Sequence, residues 1–307
     1  MDFWNLAIRI IFLSQTTTGI LGNFFLIFYC LVLYYRKYTL KPTELILMNL
    51  MPANVMIILS VGVPQTMTIW GLKDFLNPLE CVFVLYLQEF AQGVSICTIC
   101  LLNVFQTLTI SSKNFCCNYY KFKLAKYIHC CTSLLWILQL LINFISVLYT
   151  FIKRITTNVT RTRDIGYCSH IGSDDISDLL SIALVVCPEV FFSVLTALAS
   201  VSMIVILYRH KKRVQHIHST HGSSRKSPES IATKNICTVV STFLAFCTLT
   251  SILRGCIILF NNYSWWLMNI NHFTSLCFPT FAPFVLMGHY SIVCRFSSVW
   301  LRKKIVS

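Results

Sequence analysis

Seven stretches of the chain are long, apolar and almost free of charge, at roughly 6–34, 44–70, 80–110, 126–151, 178–208, 235–260 and 266–288. Between them lie short gaps rich in Lys, Arg, Asn and Ser. A helix of about 20 residues rises about 30 Å, the thickness of a bilayer's hydrocarbon core. In that medium each backbone amide must be bonded within its own segment, so such runs are helices rather than loops or open strands. The pattern predicts an all-α membrane protein, a single seven-transmembrane helix bundle over residues 1–307. The third and fifth runs are the long ones, and their ends are expected to project beyond the lipid. Pro52, Pro64, Pro188, Pro279 and Pro283 interrupt spans, which membranes tolerate as kinks.

Composition agrees: 56% of residues are hydrophobic and 12% charged, against about 25% charged in a soluble domain. The net charge is +14, but the basic residues stand in short clusters with no polar domain to present them to nucleic acid. They choose a side of the membrane instead. Arg36, Lys37, Lys41, Lys113, Lys121, Lys123 and Lys126 fall in odd-to-even gaps, as do seven more from Arg209 to Lys234 and four in the tail. The opposite side holds Arg9, Lys73, Lys153, Arg154, Arg161 and Arg163. The N-terminus is therefore expected outside and the C-terminus in the cytoplasm, in a multi-pass plasma-membrane protein. With no basic start and no A-x-A-like cleavage site, the first run is expected to act as an uncleaved anchor.

Of 15 cysteines, only Cys81 and Cys168 fall at or beyond the outer face. An oxidising compartment holding two thiols points to one disulfide from the top of span three to the following outer loop, two free thiols being the alternative. Cys97 and Cys100 form a CxxC inside an apolar helix without a second pair, which reads as packing. The histidines at 210, 216, 218 and 221 match no zinc spacing, so no metal is expected. Asn158-Val159-Thr160 is a sequon in the outer loop and a good glycosylation acceptor. Asn262-Tyr263-Ser264 lies against Trp265 and Trp266, close to the bilayer surface.

Ionisable groups inside a span are costly and mark function or structural pairing. Here they are Glu89, Glu189, Arg254 and His272. At 1.5 Å per residue the first three lie about 12, 16 and 9 Å below the outer ends of their helices, all in the outer half. Arg254 is expected to pair with one glutamate, leaving the other for a cationic or hydrogen-bond-donating ligand group. The competing reading is a structural pair with the second carboxyl protonated. Gln88 and Gln92 complete a candidate pocket for a small molecule. No Ser/His/Asp set, HExxH or phosphate-cradling loop is present, so no enzyme and no cofactor is expected. The inner half reads as apolar, which argues against a channel or transporter.

Blocks of the chain then resemble the type 1 vomeronasal receptors, over nearly its whole length. They are "GILGNFFL" at 19–26, "KPTELIL" at 41–47, "GVPQTM" at 62–67 and "GVSICTICLLNVFQTLTIS" at 93–111. "GYCS" at 166–169, "RHKKRVQHIHST" at 209–220, "SPES" at 227–230, "SWWL" at 264–267 and "CFPTFAPFVLM" at 277–287 continue the series. The resemblance implies a chemosensory G-protein-coupled receptor for small pheromone-like chemosignals, coupled to a heterotrimeric G protein of the inhibitory class. It places the disulfide at Cys81–Cys168 and a glycan on Asn158. A bitter-type taste receptor shares the seven-span plan but not these blocks. Span three ends "TISSKN" without Asp-Arg-Tyr, and span seven lacks Asn-Pro-x-x-Tyr. Members of the family often carry basic residues where this chain has Gln88, Glu89 and Gln92, so ligands do not transfer from relatives.

"RHKKR" stops span five on the cytosolic face. If the helix continues, Arg209, Arg213 and His216 share one face, at spacings of four and three. With Lys212 they form a candidate G-protein contact, a partner helix entering between the inner ends of the spans. Attraction to anionic lipid is the plainer reading of the same charges.

Overall fold

The computed structural model describes residues 3–35, 42–111, 118–156, 162–164, 167, 169–171, 179–180, 182–218, 228–259 and 264–289. Among these residues are eight α-helices: α1 Phe3–Tyr35, α2 Pro42–Ile57, α3 Val63–Ile69, α4 Pro78–Ser111, α5 Asn118–Thr156, α6 Cys187–His218, α7 Pro228–Leu259 and α8 Trp265–His289. A π-helical turn, Ile58–Gly62, joins α2 to α3 into one continuous rod, and a second, Ile182–Val186, leads into α6.

Six helical segments are long and apolar enough to cross a membrane: Trp4–Val32, Thr43–Ile69, Pro78–Leu108, Tyr127–Tyr149, Ala183–Ile206 and Trp265–Met287. The remaining apolar run is represented among the described residues by a shorter stretch, Ser241–Ile257 of α7. The longest helix is α5, with 39 residues, rather than the helices of the third or fifth runs. Its basic start, Lys121 to Lys126, is helical too, and hydropathy alone does not register that extension.

The chain is not wholly helical. β1 (Thr162–Asp164) and β2 (Ser169–Ile171) form an antiparallel hairpin, Arg163 standing opposite His170. No apolar pattern announces strands this short; they pair because loop amides outside a helix need partners.

The start of α4 shows how sequence sets a helix boundary. Pro78 takes the first helical position, where its missing N–H costs nothing. Glu80, two residues on, reaches back so that the Asn77 backbone N–H donates to Oε2 at 2.8 Å. That is the carboxylate half of a capping box. Glu80→Ala is expected to cost about 0.5–1 kcal/mol, read as a small fall in thermal midpoint with unchanged helix content.

The helices close into a ring, with α4 touching α2, α5 and α6 while α1 and α7 flank α8. The largest core cluster gathers Leu50, Met51, Ile99, Phe105, Phe243 and Phe278. The rings of Phe243 and Phe278 meet edge to face at 4.5 Å. A second cluster around Phe12, Ile58, Val61 and Leu276 fills the other end. Outside, Leu21, Phe28, Leu134, Leu141, Phe144 and Leu198 stand exposed. So large an apolar exterior is unstable in water and ordinary in lipid. The most lipid-facing span is that of α5, 17% buried against 67% for that of α8.

Candidate functional site

Where polar groups enter this interior, the residues one turn away decide their partners. On α4, Gln88 and Gln92 are four apart and share a face, whereas Glu89 is rotated about 100° from Gln88. On α7, Ser251 and Arg254 are three apart and both face α6. The Arg254 guanidinium donates through Nη1 to Glu189 Oε1 at 3.1 Å. Ser251 Oγ donates to Glu189 Oε2 at 3.0 Å. Arg254 Nη2 also donates to Gln92 Oε1. One guanidinium thus ties α4, α6 and α7 together, and both oxygens of the Glu189 carboxylate are occupied. Glu189 is buried and Arg254 nearly so, their side chains 7% and 13% exposed.

Two cavities flank this clamp. The larger encloses about 400 Å³, its open mouth included, and is lined by Gln92, Ser95, Glu189, Ser251, Ser275 and Phe278 among others. The smaller, about 280 Å³ on the same measure, lies between α4, α5 and the start of α6 and includes Glu89, Gln139 and Asn143. Glu189 borders both. The structure therefore brings Gln92, Glu189 and Arg254 together and sets Glu89 in a separate compartment. The cause is the helical phase of α4, which turns Glu89 toward α5. Gln88 is buried and lines neither cavity.

The other sequence-assigned positions are distributed as follows. Cys81 is buried in the first turn of α4, packs on Tyr167 and is disulfide-bonded. Cys168 and Asn158 lie outside the described residues. Arg209 is exposed on α6, and the helix runs on through Lys212, Arg213 and His216 to His218. No cluster of three or more potential metal ligands occurs among the described residues.

A search for charges alone overlooks a neutral network. Pro283 has no N–H, so the helix leaves the carbonyl of Pro279, four residues earlier, without its usual donor. Asn23 Nδ2 on α1 donates to that carbonyl at 2.9 Å. Gly22 beside it lets the helices meet, since a Cβ there would lie 3.1 Å from Pro283 Cβ. Asn54 Nδ2 donates to Asn23 Oδ1, and Ser95 Oγ to Asn54 Oδ1, both at 3.4 Å. The signal was present in the adjacent pair Gly22-Asn23 and the paired prolines of "PTFAP". The half of the bundle further along α4 from the clamp is not purely apolar either. Asn103 Nδ2 donates to the Thr196 carbonyl at 2.7 Å and to Ser200 Oγ at 2.8 Å. Hydrophobicity averaged over a span hides one bonded amide.

A helical bundle with a lipid-suited exterior and a cavity bordered by a three-helix polar clamp is the architecture of a polytopic membrane protein. The vomeronasal organ pheromone receptor family matches residues 6–299. Human "Vomeronasal type-1 receptor 4" is 41% identical over 290 residues, covering 94% of this chain and 96% of that protein. Human "Vomeronasal type-1 receptor 3" is 42% identical over 293 residues, 95% of this chain and 94% of its own length. Mouse "Vomeronasal type-1 receptor 44" is 30% identical over 254 residues, 80% of this chain and 79% of that one. The chain belongs to the vomeronasal type-1 receptor family: it is a multi-pass receptor of the plasma membrane and not an enzyme.

Proposed function

We propose that the chain is a pheromone receptor that binds a small, mostly apolar chemosignal in the cavity beside the Arg254 clamp and activates a heterotrimeric G protein. The observation that carries this is the clamp itself. It joins three helices at one point, so a ligand that disturbs it changes how they sit against one another. In this reading the spans number seven, with the N-terminus outside and the tail in the cytoplasm. Cys81 pairs with Cys168 over the outer end of α4, and Asn158 carries a glycan. Arg209, Lys212, Arg213 and His216 meet the G protein, taken from the family resemblance as the inhibitory class, at the inner end of α6. Ligand and G protein favour the same conformer, so each raises the affinity for the other.

The test is expression with a promiscuous G protein and a calcium readout, challenged with fractionated secretions. An active fraction is expected whose potency falls at least tenfold in Gln92→Ala at equal surface expression. Potency unchanged by that substitution sinks the pocket assignment, and a C-terminal epitope stained on unpermeabilised cells sinks the topology.

A further inference from the structure

His272 on α8 is 4% exposed, and neither of its ring nitrogens has a hydrogen-bond partner. Among the described residues it is the one side chain with two such orphaned buried atoms. Tyr167, fully buried, lies against it with ring centroids 6.4 Å apart. The Tyr167 hydroxyl is likewise without a partner, as is Gln88 Oε1. These three are connected through the fold. Tyr167 packs on Cys81, with Val84 and Leu85 of α4 beside it. Gln88 follows Leu85 by three residues and precedes the cavity-lining Gln92 by four. His272 precedes the cavity-lining Ser275 by three. Gln88 and His272 therefore each stand about one helical turn, ~5 Å, above the cavity on the side that Tyr167 covers.

Buried donors and acceptors are normally satisfied, and leaving them unmade costs free energy. Their chemistry defines what suits them. A neutral imidazole offers one donor and one acceptor, the phenol can do either, and the amide oxygen accepts. Burial pushes the Tyr167 phenol up from its ordinary range, so it keeps its proton and remains a donor. None of the three groups carries a negative charge that would balance an ammonium beside them.

We propose that His272, Tyr167 and Gln88 form an outer subsite for one neutral oxygen at the end of an otherwise apolar ligand: a hydroxyl that donates to Gln88 Oε1 and accepts from Tyr167 or His272, or a carbonyl that accepts from Tyr167 and His272 alone. This rests on the cavity below being the ligand site and names the ligand's chemical class: an oxygenated apolar molecule rather than the amine that two acids alone would suggest. The polar end sits under Tyr167, and the apolar body extends toward Phe278.

The experiment uses the full-length receptor in lipid nanodiscs and the probes nonan-2-one, nonan-2-ol and nonylamine. Unliganded His272→Leu is expected to unfold a few degrees above wild type, because an orphaned polar group has been replaced by an apolar one. The ketone and alcohol should raise the thermal midpoint of wild type, nonylamine should not, and His272→Leu should need at least tenfold more probe for the same shift. Tyr167→Phe keeps the ring and removes only the oxygen; it should weaken the probes in the same way, and decides the matter if His272→Leu does not fold. A His272→Leu receptor that folds but melts at or below wild type, equal stabilisation by nonylamine, or no stabilisation by either oxygenated probe overturns the proposal. Failure of the wider reading looks different: no secretion evokes a G-protein response. A response that His272→Leu and Tyr167→Phe both leave unaltered counts against the subsite alone.

Discussion

Arg254→Met is expected to cost about 3–5 kcal/mol of stability, the largest loss expected of any single substitution in the clamp. Without the guanidinium, the Glu189 carboxylate stays buried with only the Ser251 hydroxyl to oppose its charge. The donor to Gln92 Oε1 on α4 is lost as well. Methionine fills much of the same space, so the loss reports charge and hydrogen bonding rather than a void. Glu189→Gln should cost less, because a neutral amide still accepts from Arg254, whose positive charge is less deeply buried. The double variant is decisive. With both charges gone, no lone ion remains inside, and Glu189→Gln with Arg254→Met should recover most of what Arg254→Met loses. Thermal unfolding of detergent-purified receptor, together with surface expression, measures all three. A double variant as unstable as the sum of the singles would show that the pair is not a coupled unit.

Asn23→Ala should cost about 2 kcal/mol through a different route. The substitution strips the donor from the Pro279 carbonyl, which Pro283 already deprives of its helical partner, and it removes the acceptor for Asn54. In lipid no water replaces either. The diagnostic partner is Pro283→Ala, which returns an N–H to the helix in a position to serve Pro279. In that background Asn23→Ala should lose clearly less stability than in the native chain. The same unfolding measurement reads the difference, and strictly additive losses would mean that Asn23 does not act on that carbonyl.

Much of the fold was legible because the bilayer allows few solutions. Apolar runs almost free of charge, such as 44–70 and 80–110, had to be helices, and Pro78 followed by Glu80 marks the start of one of them. The extension of α5 through Lys121 to Lys126 was not legible, since that stretch is polar and its helicity rests on continuity with the apolar run. The hairpin of residues 162–164 and 169–171 escaped for the opposite reason: three residues are too few for any periodicity.

The site was legible in part. Treating buried ionisable groups as significant singles out Glu89, Glu189 and Arg254, whereas the same rule flags His272 without giving it a role. The neutral residues Asn23, Asn54 and Ser95 give no comparable warning, because an isolated amide barely alters the hydropathy of a span.

From the sequence by itself came a chain that must thread a bilayer as helices, and the few polar groups left inside. These follow from local physics: solvation of each segment and hydrogen bonding within it. Only the tertiary structure decided which glutamate took Arg254, that Glu89 faces a different cavity, and that Asn23 serves a carbonyl 256 residues further along. Those outcomes depend on the rotation of one helix against another, set by packing between distant parts of the chain, and no single span encodes it.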